Sequence, residues 1–120
     1  MTQPVSYVEL SSPDIALTTD FFARVFGWDL QPFAAADYFV APHGEAPGID
    51  AGILASRDGA PRTVPIIRVD ALDDACARVA SEGGTVVVAP FTLPGVGRGC
   101  YVNDPAGLLI GLHEYDPSST

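Results

Sequence analysis

Two stretches of this chain follow one plan, and that repeat constrains the fold more than any other feature. "YVELSSPDIALTTDFFARVFGWDL", from Tyr7, reads as a strand, a loop holding a helix start, an amphipathic helix, a glycine and a strand. "VPIIRVDALDDACARVASEGGTVVV", from Val64, repeats the plan about 57 positions later. In the first helix Ile15, Leu17, Phe21, Phe22, Val25 and Phe26 give a broad apolar stripe at helical spacing. Ser12 or Asp14 is placed to cap it and Gly27 to end it. In the second helix Leu72, Cys76 and Val79 share a face, Asp70 is the expected cap and Gly83–Gly84 the stop.

Each helix precedes three strand-like runs. "WDLQPF", "DYFVA" and "GIDAGILAS" follow the first; "TVVVAP", "GRGCYVN" and "LLIGLHEY" follow the second. Loops rich in proline and glycine, "APHGEAPG" and "FTLPGVG", punctuate them, and "RDGAPR" joins the halves. The chain is therefore read as α+β: two βαβββ modules, about 4–57 and 62–116, in one domain over 1–120. Helices are expected on the outer face of a curved mixed sheet that cups a cleft.

At 120 residues the chain is long enough to bury a core without metal or disulfide staples. No apolar run approaches the roughly 20 residues that cross a bilayer, and "MTQPVSYVEL" lacks the pattern of a signal peptide. A cytoplasmic setting is expected. Six arginines and no lysine stand against fifteen carboxylates, for a net charge of −9. That balance repels nucleic acid and anionic membranes, and favours a cationic ligand. Without lysine there is no Schiff-base chemistry and no lysine general base. Cys76 and Cys100 form no CxxC pair, and a reducing compartment argues against a disulfide. "GVGRG" is followed by a strand, so it is no phosphate-cradling helix start.

The repeat and two of its phrases, "DFFARVFGW" and "NDPAGLLIGLHEY", resemble the vicinal oxygen chelate superfamily, which includes glyoxalase I, extradiol dioxygenases, methylmalonyl-CoA epimerase and bleomycin resistance proteins. The resemblance covers about Pro4 to Tyr115, and "LPGVGRGCYVNDPAG" is similar to endings of small family members. It implies a cleft between modules, and in metal-dependent members a divalent ion held by His, Gln or Glu from the first and last strand of each module. Tyr7, Val64 and Gly111 stand at three of those four positions, and Gly52 is the best match for the fourth, with Asp50 beside it. No metal or other cofactor is expected on that set. The alternative is one divalent ion at a makeshift Glu9/His113 site, with Asp50.

Strand alternation supplies the expected ligand-binding face. The first strand offers Tyr7 and Glu9 and keeps Val8 and Leu10 for the core; the fifth offers Val64, Ile66 and Arg68 and keeps Ile67 and Val69. The last offers Leu109, Gly111 and His113, with Glu114 on the other face. A four-residue "DPAG" loop would set Cys100 across from Gly111, facing the same way. Trp28, with Tyr38 and Phe39, adds aromatic surface to the pocket or to the core. Glu9, a carboxylate among apolar strand residues, needs a partner: Arg68, a cationic ligand, or a proton as general base.

Several functions fit these residues. A metal-free protein of the bleomycin-resistance kind would sequester a cationic aromatic compound. A lyase, isomerase or dioxygenase would use a metal, or would use Glu9 or His113 as acid and base. Cys100 as a nucleophile would need His113 as its base. The partners that the resemblance implies are a small molecule and a second copy in a homodimer.

Overall fold

The computed structural model describes residues 2–33 and 35–120, with backbone alone at 35 and 36. The chain is α+β, and its elements repeat as the sequence suggests: β1 (Val5–Ser12), α1 (Ile15–Phe26), β2 (Gln31–Phe33), β3 (Ala35–Ala41) and β4 (Asp50–Ala55), then β5 (Arg62–Arg68), α2 (Leu72–Ser81), β6 (Thr85–Leu93), β7 (Gly97–Asn103) and β8 (Leu109–Tyr115). The chain divides into two compact units, Ser6–Val64 and Pro65–Thr120, the latter taking in the first residues through Val5.

In the first unit the strands run β2-β3-β4-β1. β1 and β4 are parallel, with Tyr7 opposite Asp50 and Glu9 opposite Gly52. β3 is antiparallel to β4 and sets Val40 opposite Gly52. Helix α1 begins where Asp14 accepts a hydrogen bond from the Leu17 N–H at 3.1 Å, and it ends at Gly27 in the left-handed region, φ 71°. Ser12 closes the same corner: its hydroxyl accepts from the Asp14 N–H and bonds the Thr18 hydroxyl at 2.6 Å. The helix packs on β4, where Ile53 is fully buried.

The broad apolar stripe expected on α1 is split. Half-buried Ile15, Thr18, Thr19 and Phe22, at i, i+3, i+4 and i+7, are its inner side. Leu17, Phe21, Val25 and Phe26 are 69%, 55%, 56% and 59% exposed. Six large apolar residues on a twelve-residue helix exceed what one stripe can bury, and two threonines take inner positions instead.

In the second unit the order is β5-β8-β7-β6, again with the first and last strands parallel and the others antiparallel. Helix α2 packs on β6, β7 and β8. Beneath it Val69, Leu72, Cys100, Val102 and Leu112 form the core, with Ile67, Cys76, Val79 and Ile110 packed around them. The expected Asp70 cap is replaced. Ala71 is the N-cap and has no side-chain bond to give; Glu114, on β8, accepts the Leu72 N–H at 2.9 Å. A carboxylate at a helix start also meets the positive end of the helix dipole.

The β7–β8 turn corrects a second expectation. Asn103 pairs with Leu109, so the loop holds five residues, Asp104 to Leu108, rather than four. The Asp104 carboxylate accepts from the Ala106 and Leu108 N–H groups at 2.9 and 2.7 Å, which draws Leu108 out of the strand and into solvent. Tyr101, not Cys100, therefore stands opposite Gly111, and Cys100 pairs with Leu112 in the core. One added loop residue inverts the facing of a whole strand.

Candidate functional site

The first unit carries a hydrogen-bonded chain of three side chains on one face of its sheet. Glu9 and Gly52 are lateral partners, and so are Gly52 and Val40. Tyr7 and Tyr38 each lie two residues along their strand from those positions, so both rings lean across Gly52 as diagonal neighbours. The Tyr38 hydroxyl donates to Glu9 Oε2 at 2.9 Å. With its one proton so used, it accepts from the Tyr7 hydroxyl, also at 2.9 Å. A Cβ built on Gly52 would collide with both hydroxyls, so only glycine leaves room for them.

Burial is the first cause of a raised pKa at both phenols. Tyr7 is pushed up to about 12, with its bond to Tyr38 opposing the rise and the charges of Glu9 and Asp50 adding to it. Tyr38 is pushed higher still, by burial and then by the Glu9 charge. Both therefore stay protonated donors at neutral pH. Asp50 is committed elsewhere: its Oδ1 accepts the His43 N–H at 3.0 Å and lies 3.8 Å from His43 Nε2, which ties down the loop before β4. Phe33 extends the aromatic surface, its ring 5.7 Å from that of Tyr38.

The second unit repeats this geometry with different chemistry. Ile66 is the lateral partner of Gly111, as Glu9 is of Gly52. Its Cδ1 fills the space that a Cβ on Gly111 would take, with the Tyr101 ring beside it. Tyr101 stacks on Phe91 at 6.0 Å between ring centroids. His113 pairs with Arg68 and Gly99, and its buried Nε2 has no hydrogen-bond partner among the described residues. Burial, then the Arg68 charge, lower its pKa, while Glu114 opposes them. Arg68 lies over the Tyr115 ring at 4.9 Å.

The candidates from sequence are thus sorted. Tyr7 and Glu9 come together, while Ile66, Leu109, Gly111 and His113 belong to the corresponding strands of the second unit. Trp28 joins the aromatic cluster of α1, 4.8 Å from Phe22, rather than the tyrosine chain among the described contacts. Cys100 leaves the ligand-binding set, since it is 1% exposed beneath α2. Sequence reading missed Tyr38 as the link to Glu9. It lies 29 positions away, and only the β3–β4 register brings it over Gly52.

The chain belongs to the glyoxalase/bleomycin resistance protein/dioxygenase superfamily, whose family model matches residues 5–112. A Mycobacterium tuberculosis protein provisionally named a glyoxylase, CFP32, is 30% identical over 117 residues, which cover 89% of this chain and 44% of that protein. The chain thus spans less than half the length of that relative. Among solved structures, methylmalonyl-CoA epimerase from Mycobacterium tuberculosis superposes with a TM-score of 0.66 at 18% identity, over 93% of this chain and 87% of the other. The Mn(II)-bound glyoxalase from Novosphingobium aromaticivorans gives 0.66 at 22% identity, over 99% of this chain and 41% of that one. These two likenesses concern the fold.

A divalent ion serves part of this family, and the side chains here suit one poorly. Among the described residues no three His, Cys, Asp or Glu side chains gather as a ligand set. Gly52 and Gly111 supply no donor, and the space above each is filled by Tyr7 with Tyr38 and by Ile66. Metal ligands bind deprotonated, whereas burial holds the proton on both phenols.

Proposed function

We propose that the chain is a small-molecule-binding member of its family that works without a divalent ion, and that its ligand is a cationic aromatic compound. The observation that carries this reading is the Tyr7–Tyr38–Glu9 chain over Gly52. A carboxylate flanked by two neutral phenols offers charge to a cation and ring faces to an aromatic system. The net charge of −9 steers cations toward the protein from a distance. No helix among the described residues is long and apolar enough to cross a membrane. We place the protein in the cytoplasm, acting as a homodimer with neither nucleic acid nor membrane as partner. The exposed apolar residues of α1 support self-association.

The test combines elemental mass spectrometry of the purified protein with calorimetry using ethidium as a cationic aromatic probe. The reading expects no stoichiometric metal, ethidium binding in the micromolar range and at least tenfold weaker binding by Glu9→Gln. One metal per chain, or a dissociation constant above millimolar, would overturn it.

A second reading rests on the same three residues. A phenol–phenol–carboxylate chain can pass a proton, so Glu9 would serve as the acid/base of an isomerase or lyase, with His113 as the other candidate. Turnover of a carbonyl substrate that Glu9→Gln abolishes and His113→Gln preserves would favour this reading, with Glu9 as the group.

A further inference from the structure

A second chemical feature belongs to the second unit and shares no residue with the tyrosine chain. Cys76 on α2 and Cys100 on β7 are the two cysteines of the sequence, and their Sγ atoms are 3.2 Å apart. They belong to one packed layer, with Leu72, Val102 and Leu112. Cys100 is buried and Cys76 is partly exposed, so a small oxidant reaches Cys76 first. A disulfide needs an S–S separation of about 2.05 Å, so the sulfurs have only about 1 Å left to close. No third thiol competes for either one.

We propose that Cys76 and Cys100 are a reversible oxidation site, which hydrogen peroxide converts to a disulfide joining α2 to β7. The Cys76 thiol gives up its proton and its sulfur attacks a peroxide oxygen; the O–O bond breaks, and the leaving hydroxide takes up that proton as water, giving a sulfenic acid at Cys76. The Cys100 sulfur then attacks the Cys76 sulfur; the S–O bond breaks, the S–S bond forms, and the hydroxyl departs as water with the Cys100 proton. Two thiols lose two electrons in total, and one peroxide is reduced to two waters.

The surroundings divide these roles. Arg98, held to Asp73 of α2 by hydrogen bonds of 3.0 and 3.3 Å, is a cation whose charge acts on both sulfurs. Burial, then the bond and charge of Cys76, push the Cys100 thiol above the usual thiol range. Cys100, 1% exposed, is shielded from peroxide and reacts with a sulfenic acid formed against it, 3.2 Å away. A reducing compartment keeps the pair as thiols, and an oxidative challenge closes it.

The experiment treats the whole protein with hydrogen peroxide and measures its mass under denaturing, non-reducing conditions. The expected result is a loss of two hydrogen atoms per chain, a crosslinked Cys76–Cys100 peptide pair, and both thiols restored by dithiothreitol. The oxidised protein should melt on the order of 10 °C higher, since the bridge closes a loop of 24 residues. Cys100→Ala should leave a Cys76 sulfenic acid that dimedone traps. Should that variant fail to fold, Cys76→Ser, altered at the more exposed partner, should leave Cys100 unmodified by peroxide. Disulfides between chains, oxygen adducts on Cys76 in the parent protein, or two intact thiols would each overturn the proposal.

Discussion

The Tyr38 hydroxyl donates to Glu9 across Gly52, a bond of 2.9 Å that spans from β3 to β1 over the strand between them. Three strands are needed to make it. β4 supplies the gap by having no side chain at residue 52, and the two neighbouring strands fill that gap with phenols. In the second unit Ile66 fills the matching gap at Gly111. The repeat thus keeps its backbone plan while one face turns polar and the other apolar.

Gly52→Ala should be the more damaging of two alanine substitutions. Its Cβ meets two hydroxyls and the Cζ of a rigid ring, whereas at Gly111 the nearest atom is the flexible end of Ile66. Overpacking a buried site costs about 1–3 kcal/mol, and Gly52→Ala should fall in the upper half of that range. Urea denaturation of both variants checks the ranking; equal losses would mean that the tyrosines yield as easily as Ile66.

The tyrosine chain predicts an alkaline limit to stability. A tyrosine in the unfolded chain ionises near 10, whereas folded Tyr7 holds its proton to about 12 and Tyr38 holds its own beyond that. Their contribution is full below about pH 10 and is lost as the pH rises through 12. Two of the four tyrosines should therefore give no phenolate absorbance at about pH 11 until the protein unfolds. Phenolate absorbance from all four in the folded protein at that pH would show the hydroxyls to be solvated.

Local signals in the sequence carried most of the architecture. Asp14 and Gly27 bound α1 because capping chemistry acts within a few residues, and "GRGCYVN" spans β7 residue for residue. What escaped depends on contacts between distant segments. Nothing near Leu72 announces that Glu114, 42 positions on, caps its helix. Nothing in "DYFVA" marks Tyr38 as a partner of Glu9. The Asp104 carboxylate, by drawing Leu108 into the turn, moved Cys100 from the expected binding face to the core. Apolar content likewise misjudged α1, because a helix shows only one side to its sheet.

The bond from Glu114 to the Leu72 N–H should be measurable. Leu72 is fully buried at the start of α2, and Ala71 offers no cap of its own. Losing a charged cap costs about 1–2 kcal/mol. Glu114→Ala should lose that amount in urea denaturation, and Glu114→Gln, which keeps an acceptor oxygen, should recover about half. No loss in either variant would mean that water replaces the carboxylate freely.

His113 offers the sharpest separation of a structural from a functional role. Its Nε2 is buried and has no partner among the described residues, and burial with the Arg68 charge holds its pKa below the usual histidine value. An unpaired polar atom of this kind costs about 1–3 kcal/mol, so an apolar side chain of similar reach should relieve it. His113→Leu is expected to match or exceed the parent in stability at pH 7. The acid limb should change as well. Folded His113 resists protonation, so its contribution is complete above about pH 6.5 and is lost as the pH falls through its lowered folded value. The parent should weaken over that range, and His113→Leu should weaken less. A His113→Leu protein that is less stable at pH 7 would mean that Nε2 has a partner in solution, and a ligand or ordered water on the β8 face would then be sought there first.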